Sequence, residues 1–76
     1  MENKKDMIET TYTEENGITI TNKTNKNLCI HYNEPHYNDN YDPILLAPFE
    51  TITIYQEYEA DDWRIAFEKG WYYILW

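Results

Sequence analysis

The sequence has 76 residues, with 14 acidic side chains against six Lys and Arg, and a formal net charge of −8. This length limits the chain to one domain, so we predict a single domain over 1–76, with residues 1–6 frayed. The charge disfavours direct binding to nucleic acid or to an anionic membrane, because both interactions depend on Lys and Arg. A basic protein is the partner that the charge favours.

The sequence also bears on the compartment. A single cysteine excludes a disulfide within the chain, which favours a reducing environment. The polar N-terminal stretch lacks the apolar segment of a secretion signal, and no apolar run reaches the roughly 20 residues of a membrane span. We therefore expect a cytoplasmic protein.

Apolar and polar residues alternate through most of the chain, with turn residues about every 8–12 positions, which predicts an all-β fold. The form that we expect is a small antiparallel β-sandwich or a partly open barrel of about six short strands. Near the start of the chain, Asn16 and Gly17 signal a hairpin between strands at 7–14 and 18–22.

Two loop lengths could connect the strands of this hairpin. A two-residue loop places Tyr12 opposite Thr21, whereas a three-residue loop over 15–17 places Tyr12 opposite Ile20. We predict the second, with Gly17 in the left-handed conformation, because it groups the apolar residues on one face of the hairpin. That face holds Ile8, Tyr12, Ile18 and Ile20.

The middle of the chain continues the strand pattern. A third strand over 28–32 turns Cys29 and His31 to one face and its apolar residues to the other. The elements that follow are a long loop over 33–43, a short strand over 44–47 and a longer strand over 51–58.

The end of the chain predicts a Trp-rich C-terminal hairpin, with strands over 63–68 and 71–76 on either side of Lys69 and Gly70. The last strand is apolar on both faces. Such a strand is either covered on both sides or forms part of an interface. We therefore predict self-association, with a homodimer as one outcome, through Tyr72, Ile74 and Trp76.

The stretch 31–43 holds both histidines and three carboxylates, which are groups that bind metals. Their spacing fits no zinc pattern. A calcium loop that starts at Asn38 would need Gly and Glu at the positions where Pro43 and Phe49 stand. We interpret the stretch as a solvated loop and predict no metal and no cofactor.

Nucleophilic catalysis is also disfavoured. The sequence has no Ser, and it has too few glycines for a phosphate-binding loop. Cys29 and His31 share a face of the third strand, but neighbours of this kind lie about 6–7 Å apart at Cα, an awkward separation for a dyad. We interpret Cys29 as a small buried apolar residue and predict a protein without enzymatic activity.

The acidic, Tyr-rich character of the chain predicts a surface for a partner protein. Glu57, Glu59 and Asp61 alternate at the end of a predicted strand, so they would line up on one side like successive phosphates. Tyr rings add flat area with a hydrogen-bonding group, of the kind enriched in protein interfaces. The predicted partner-binding residues are Glu34, Tyr37, Asp39, Tyr41, Asp42, Glu57, Tyr58, Glu59, Asp61 and Asp62.

In size, charge and compositional bias, the chain resembles the short acidic inhibitors that phages and mobile elements direct against host defence or nucleic-acid-handling proteins. The resemblance implies a non-enzymatic protein that blocks a basic, nucleic-acid-binding host protein inside the bacterial cell. Nucleic-acid mimicry is one form that this binding could take. The resemblance carries over no individual residue.

A carbohydrate- or ligand-binding β-sandwich is the alternative function. Trp63, Trp71 and Trp76 could stack on sugar rings, and this function requires that they form an exposed row. We predict instead that at least two of the three lie in the core, because the chain has few other large apolar side chains to fill it.

Overall fold

The computed structural model describes residues 6–35 and 41–76 of the chain, so most of the segment predicted to fray lies outside the described residues. The described strands form two three-stranded sheets, with the order β1-β2-β5 in the first and β4-β3-β6 in the second, and every pair is antiparallel. The elements in chain order are β1 (Ile8–Thr13), β2 (Gly17–Asn22), β3 (Leu28–Tyr32), β4 (Ile44–Leu46), β5 (Thr51–Ile54), α1 (Glu57–Lys69) and β6 (Tyr72–Leu75).

The first sheet is built from alternating Ile and Thr. Ile18 and Ile20 of β2 are buried, and β5 sets Ile54 and Ile52 directly opposite them. Because successive side chains on a strand point to opposite faces, the same alternation turns Thr19 outward. One face of this sheet therefore enters the core and the other is polar.

The β1–β2 hairpin confirms the predicted face and corrects the predicted register. Gly17 has the expected left-handed conformation, with a φ of 79°. It pairs with Thr13, so Tyr12 lies opposite Ile18 rather than opposite Ile20. The apolar pattern fits either pairing, so it does not decide the register. At Gly17, β5 passes so close that a Cβ would stand 2.0 Å from the carbonyl oxygen of Ile54. Since the register moves by an even number of residues, each side chain keeps its face.

The second sheet corrects the predicted C-terminal hairpin. The strand β6 pairs with β3, where Tyr73 lies opposite His31, and β4 lies on the other side of β3, where Leu45 lies opposite Cys29. The strand predicted over 28–32 is confirmed. The last strand is an edge of this sheet rather than half of a local hairpin.

The helix α1 stands where two stretches of strand were predicted. Ala60, Trp63 and Ala66 are buried, and this spacing of three follows one face of a helix. The strand β5 ends at Ile54, well before the predicted end at residue 58. The described chain is therefore β-rich with one helix rather than all-β, and its two sheets do not form a clear sandwich.

Both sheets and the helix contribute to one hydrophobic core, with Trp63 completely buried in it. A buried polar residue, Asn22, joins the end of β2 to the segment that follows β4. Its Nδ2 donates to the carbonyl oxygens of Lys26 at 2.7 Å and Ala47 at 2.9 Å, and its Oδ1 accepts from the Thr24 N–H at 2.8 Å. These bonds offset the cost of burying the amide, which is about 1–3 kcal/mol when its partners are missing.

Candidate protein-binding surface

Five of the ten predicted partner-binding residues lie on α1, so the helix decides how those five are arranged. Glu57 and Glu59 in the first turn and Lys69 in the last turn have the charges that stabilise a helix dipole. The helix ends at Lys69 and is capped by Gly70, whose φ of 78° is left-handed and whose N–H donates to the carbonyl oxygen of Ala66. These local features fix both ends of the helix.

The helix corrects the predicted line of carboxylates. On a helix, residues four apart share a face, so Glu57 and Asp61 are neighbours and so are Tyr58 and Asp62. Glu59 lies on another side and is half-buried. The three alternating acids therefore do not form a row like successive phosphates.

The sole arginine of the chain already has partners on the helix. An Arg64 Nη lies 2.5 Å from Asp61 and the other lies 3.3 Å from Glu68. The guanidinium also lies 4.8 Å from the centre of the Tyr12 ring, at cation–π distance. The hydrogen bond that the guanidinium donates to Asp61 raises the pKa of Arg64 further. Arg64 thus compensates Asp61 and leaves the carboxylates of Glu57 and Asp62 without that neutralisation.

A cluster of aromatic rings connects the helix to Glu34 and Tyr41. The Tyr41 hydroxyl donates to Asp62 Oδ2 at 2.5 Å, and the Tyr32 hydroxyl donates to Glu34 Oε2. The Tyr32 ring meets the rings of Tyr41 and Trp63 edge-on, with both pairs of centroids 5.1 Å apart. Packing on a buried Trp therefore brings together Glu34, Tyr41 and Asp62, which lie far apart in the sequence.

Burial keeps the phenol of this cluster protonated. Desolvation is the main cause that raises the pKa of Tyr32 far above its usual range, and the hydrogen bond to Glu34 adds to it. Burial also raises the pKa of Tyr72 on the neighbouring strand. A protonated phenol is a hydrogen-bond donor, so the raised pKa extends the donor state of Tyr32 to higher pH.

The other predicted partner-binding residues divide into two groups. Asp42 and Glu57 are exposed, and Tyr58 is 81% exposed, whereas Tyr37 and Asp39 lie outside the described residues. We give the name acidic patch to the described members that lie on α1 away from its buried side, or at positions 34, 41 and 42. They are Glu34, Tyr41, Asp42, Glu57, Tyr58, Asp61 and Asp62.

Of the three residues predicted for self-association, two are buried and one is exposed. Tyr72 and Ile74 face the core, at 5% and 7% exposed, so within one copy of the chain only Trp76 is accessible, at 72%. The exposed positions of β6 are Tyr73 and Leu75, which sequence reasoning did not select. The sequence held a signal for these two residues. The strand is apolar on both faces, so whichever face lies outside exposes apolar side chains.

The outer face of β3 differs from its sequence interpretation. Cys29 is half-buried on the sheet surface rather than in the core, and its Sγ lies 3.2 Å from His31 Nε2. The His31 ring stacks on Tyr73 with 4.7 Å between centroids and 6° between planes. Strand N–H groups lie in the plane of the sheet, so they do not point outward to stabilise an oxyanion beside the thiol.

The tryptophans do not form an exposed row. Trp63 is buried, Trp71 is half-buried and Trp76 is 72% exposed. The Lys69 ammonium lies 5.5 Å from the Trp71 ring centroid. Stacking on a sugar would therefore depend on Trp76 alone.

Comparison of the chain with protein-family models, with curated proteins and with solved structures finds no match. Within residues 6–35 and 41–76, no helix has the length and apolar character needed to cross a membrane. In the same two ranges, no three His, Cys, Asp or Glu side chains gather where a metal ion could bind. His36 and Asp39 of the metal hypothesis lie outside those ranges.

Proposed function

We propose that the protein is a non-enzymatic binding protein that attaches to a basic protein through the acidic patch and blocks it. The observation that carries the proposal is the position of Tyr58. Its ring is 81% exposed, beside Glu57 and one turn from Asp62. An exposed aromatic ring among carboxylates offers a basic surface both an anchor and complementary charge.

Pre-organisation of the acidic patch supports this function. Glu34 and Asp62 are each held by a tyrosine hydroxyl, and both tyrosines pack on the buried Trp63 cluster or on each other. Side chains that are already ordered lose little conformational freedom when a partner binds, which favours affinity.

The target that we propose is a nucleic-acid-handling protein of a bacterial host, with the present protein as a phage or mobile-element product acting in the host cytoplasm. The net charge of −8 supports a basic target and opposes direct binding to nucleic acid or an anionic membrane. Glu57, Glu59 and Asp61 do not form a row, so they do not copy the spacing of a phosphate backbone. Competition with DNA or RNA tests whether the protein mimics nucleic acid in another way. The carbohydrate-binding alternative has Trp76 as its one largely exposed tryptophan.

The test is capture of partners by the tagged protein from lysates of low-GC bacteria, with and without phage infection, followed by elution in a salt gradient. We expect a basic nucleic-acid-binding protein that elutes at moderate salt. DNA or RNA should compete with the protein for it. Binding of the purified partner then serves to compare variants.

Two variants with the same change in charge separate the acidic patch from net charge. Glu57→Lys combined with Tyr58→Ala should weaken binding by about tenfold or more, because it removes an anchor and reverses a neighbouring charge. Glu9→Lys, at an exposed position on β1, should change binding by about twofold or less, since Glu9 is not a member of the patch. Equal effects of the two variants, or capture that resists high salt, would contradict the proposed function.

A further inference from the structure

The outer face of the second sheet is apolar although it faces solvent. Leu45 on β4 and Leu75 on β6 flank Cys29 on β3, in direct register on both sides. Leu45 is 70% exposed, Leu75 is 54% exposed, and Tyr73 beside them is 44% exposed. With Trp76, these side chains form what we call the outer apolar face: Cys29, Leu45, Tyr73, Leu75 and Trp76.

A groove of about 450 Å³ lies on this face. Leu45, Leu75 and Trp76 line it together with Cys29. The face therefore offers both a projecting ring, Trp76, and a depression that can receive a side chain of that size. A surface with a projection and a matching depression can pair with itself around a two-fold axis, where each copy presents the same residues to the other.

The charges at the edge of the groove are also self-complementary. Glu50 lines the groove, and the Lys26 ammonium lies 5.9 Å from the centre of the Trp76 ring. In a two-fold contact, a positive group at one edge meets a negative group at the other. The carboxylates of α1 lie outside this face, so the apolar contact does not bring them together directly.

The exposed area is sufficient for a weak dimer. The exposed parts of the outer apolar face amount to roughly 500 Å² in one copy. For comparison, one whole aromatic side chain buries about 150–250 Å². Two copies would bury on the order of 1,000 Å², which is the lower bound for a specific interface. A patch of that size is also at the upper end of what monomeric proteins leave uncovered.

We propose that two copies of the chain associate through their outer apolar faces to form a two-fold dimer. The interface uses the residues of β6 that alternate with Tyr72 and Ile74, since those two side chains belong to the core. This dimer is independent of the acidic patch, so either proposal can stand without the other.

Sedimentation equilibrium over a range of protein concentration tests the dimer. We expect reversible dimerisation in the micromolar range, as suits an interface of this size. Added salt should strengthen it, because screening of the repulsion between two copies of charge −8 outweighs the screening of the exposed edge pairs and leaves apolar contacts intact. A chain that stays monomeric up to about 1 mM would overturn the proposal.

The variant Leu45→Thr with Leu75→Thr should raise the dissociation constant by about tenfold or more, because it replaces the two apolar flanks of the groove. Tyr55→Thr is the matched control, since Tyr55 is 76% exposed but lies outside the face, and it should leave the constant unchanged. Circular dichroism verifies the fold, and Trp76→Thr gives an independent second variant. Dimerisation that survives these changes would overturn the assigned interface.

The sole cysteine provides a second measurement that needs no variant. Cys29 is at the centre of the face and half-buried in one copy, so the dimer should cover it. Its alkylation by iodoacetamide, followed by mass spectrometry, should slow as protein concentration rises through the dissociation constant. A rate that is independent of concentration across a dimer transition would show that the contact lies elsewhere. Binding of the captured basic partner by the Leu45→Thr and Leu75→Thr variant would show that the acidic patch acts separately.

Discussion

The two sheets share an architecture but differ in the side chains that they turn to solvent. Each has three antiparallel strands, with one face in the core. On the outer face of the first sheet, threonines pair across strands, with 3.2 Å between the hydroxyl oxygens of Thr19 and Thr53 and 2.8 Å between those of Thr21 and Thr51. On the outer face of the second sheet, the corresponding positions hold Leu, Cys and Tyr, with His31 stacked on Tyr73.

This difference distinguishes a surface adapted to water from one adapted to a contact. A solvated face of an antiparallel sheet is ordinarily polar, and the first sheet follows that pattern. Both sheets belong to one short chain, so a general bias in the composition of the sequence does not explain why only the second sheet has an apolar outer face. The second outer face therefore has a separate reason to be apolar, and a protein contact supplies one.

The largest expected effect concerns the first sheet. Gly17→Ala should lower the free energy of unfolding by about 3–5 kcal/mol, from the cost of a left-handed Ala and the overpacking of its Cβ. The clash is with the backbone of Ile54, which cannot move without disturbing β5. Urea unfolding followed by tryptophan fluorescence measures the loss.

A second glycine is the natural control for that experiment. Gly70 has a φ of 78°, nearly that of Gly17, but nothing lies within 4 Å of the position where a Cβ would stand. Gly70→Ala should therefore cost only about 1–2 kcal/mol, the conformational part alone. Equal losses for the two variants would mean that the close approach of β5 does not contribute.

The two glycines also mark what the sequence could and could not predict. The alternation of ITIT and the Asn-Gly signal predicted the faces of the first hairpin correctly, because those cues are local. The register was wrong because pairings that differ by two residues place the same side chains on the same faces, so the pattern does not separate them. From 63 to 67, the apolar residues Trp63, Ile65 and Phe67 alternate, so a strand was predicted where α1 forms.

The helix nevertheless had its own signals. Ala60, Trp63 and Ala66 recur every third residue, acids fill the first turn, and Lys69 precedes Gly70. At the candidate site, composition alone selected the acids and tyrosines. It could not show that Tyr41 reaches Asp62, because that contact depends on how α1 packs against the second sheet. The same packing decides which face of β6 is exposed.

The dependence of stability on alkaline pH should arise in the second sheet. Tyr32 and Tyr72 lie opposite each other on the second sheet, and both have a raised pKa in the folded state. Their contribution to stability is complete below the ordinary phenol pKa of about 10, and it is lost as pH rises above that value, because the unfolded chain then releases protons that the folded chain retains. Each such group accounts for at most about 1.4 kcal/mol per pH unit.

Thermal unfolding between pH 8 and 11 measures this dependence. Tyr32→Phe should make the loss of stability above pH 10 less steep, since it removes one of the two groups. Tyr55→Phe, on the surface before α1, should retain the slope of the original chain. Identical slopes in all three proteins would show that Tyr32 does not contribute to the alkaline sensitivity.

The smallest expected effect compares the two outer faces directly. Thr19→Ala and Thr53→Ala should each lower the free energy of unfolding by a few tenths of a kcal/mol, with a coupling between them within the roughly 0.2–1 kcal/mol of a cross-strand pair. Leu45→Thr, measured at concentrations where the chain is monomeric, should change the free energy of unfolding by about 0.5 kcal/mol or less, because the side chain is largely exposed. Urea unfolding measures the free energy of unfolding of each variant, and a double-mutant cycle on Thr19 and Thr53 gives their coupling.

The comparison of these changes in the free energy of unfolding indicates which outer face stabilises the fold. If the threonines are coupled while Leu45 contributes nothing to the stability of one copy, the first outer face stabilises the fold and the second does not. An apolar side chain that is exposed, without value to its own fold, and in register with Cys29 and Leu75 gains its stabilisation only when another surface covers it. A large loss of monomer stability on Leu45→Thr would instead make Leu45 part of the fold, and the difference between the sheets would no longer indicate a contact.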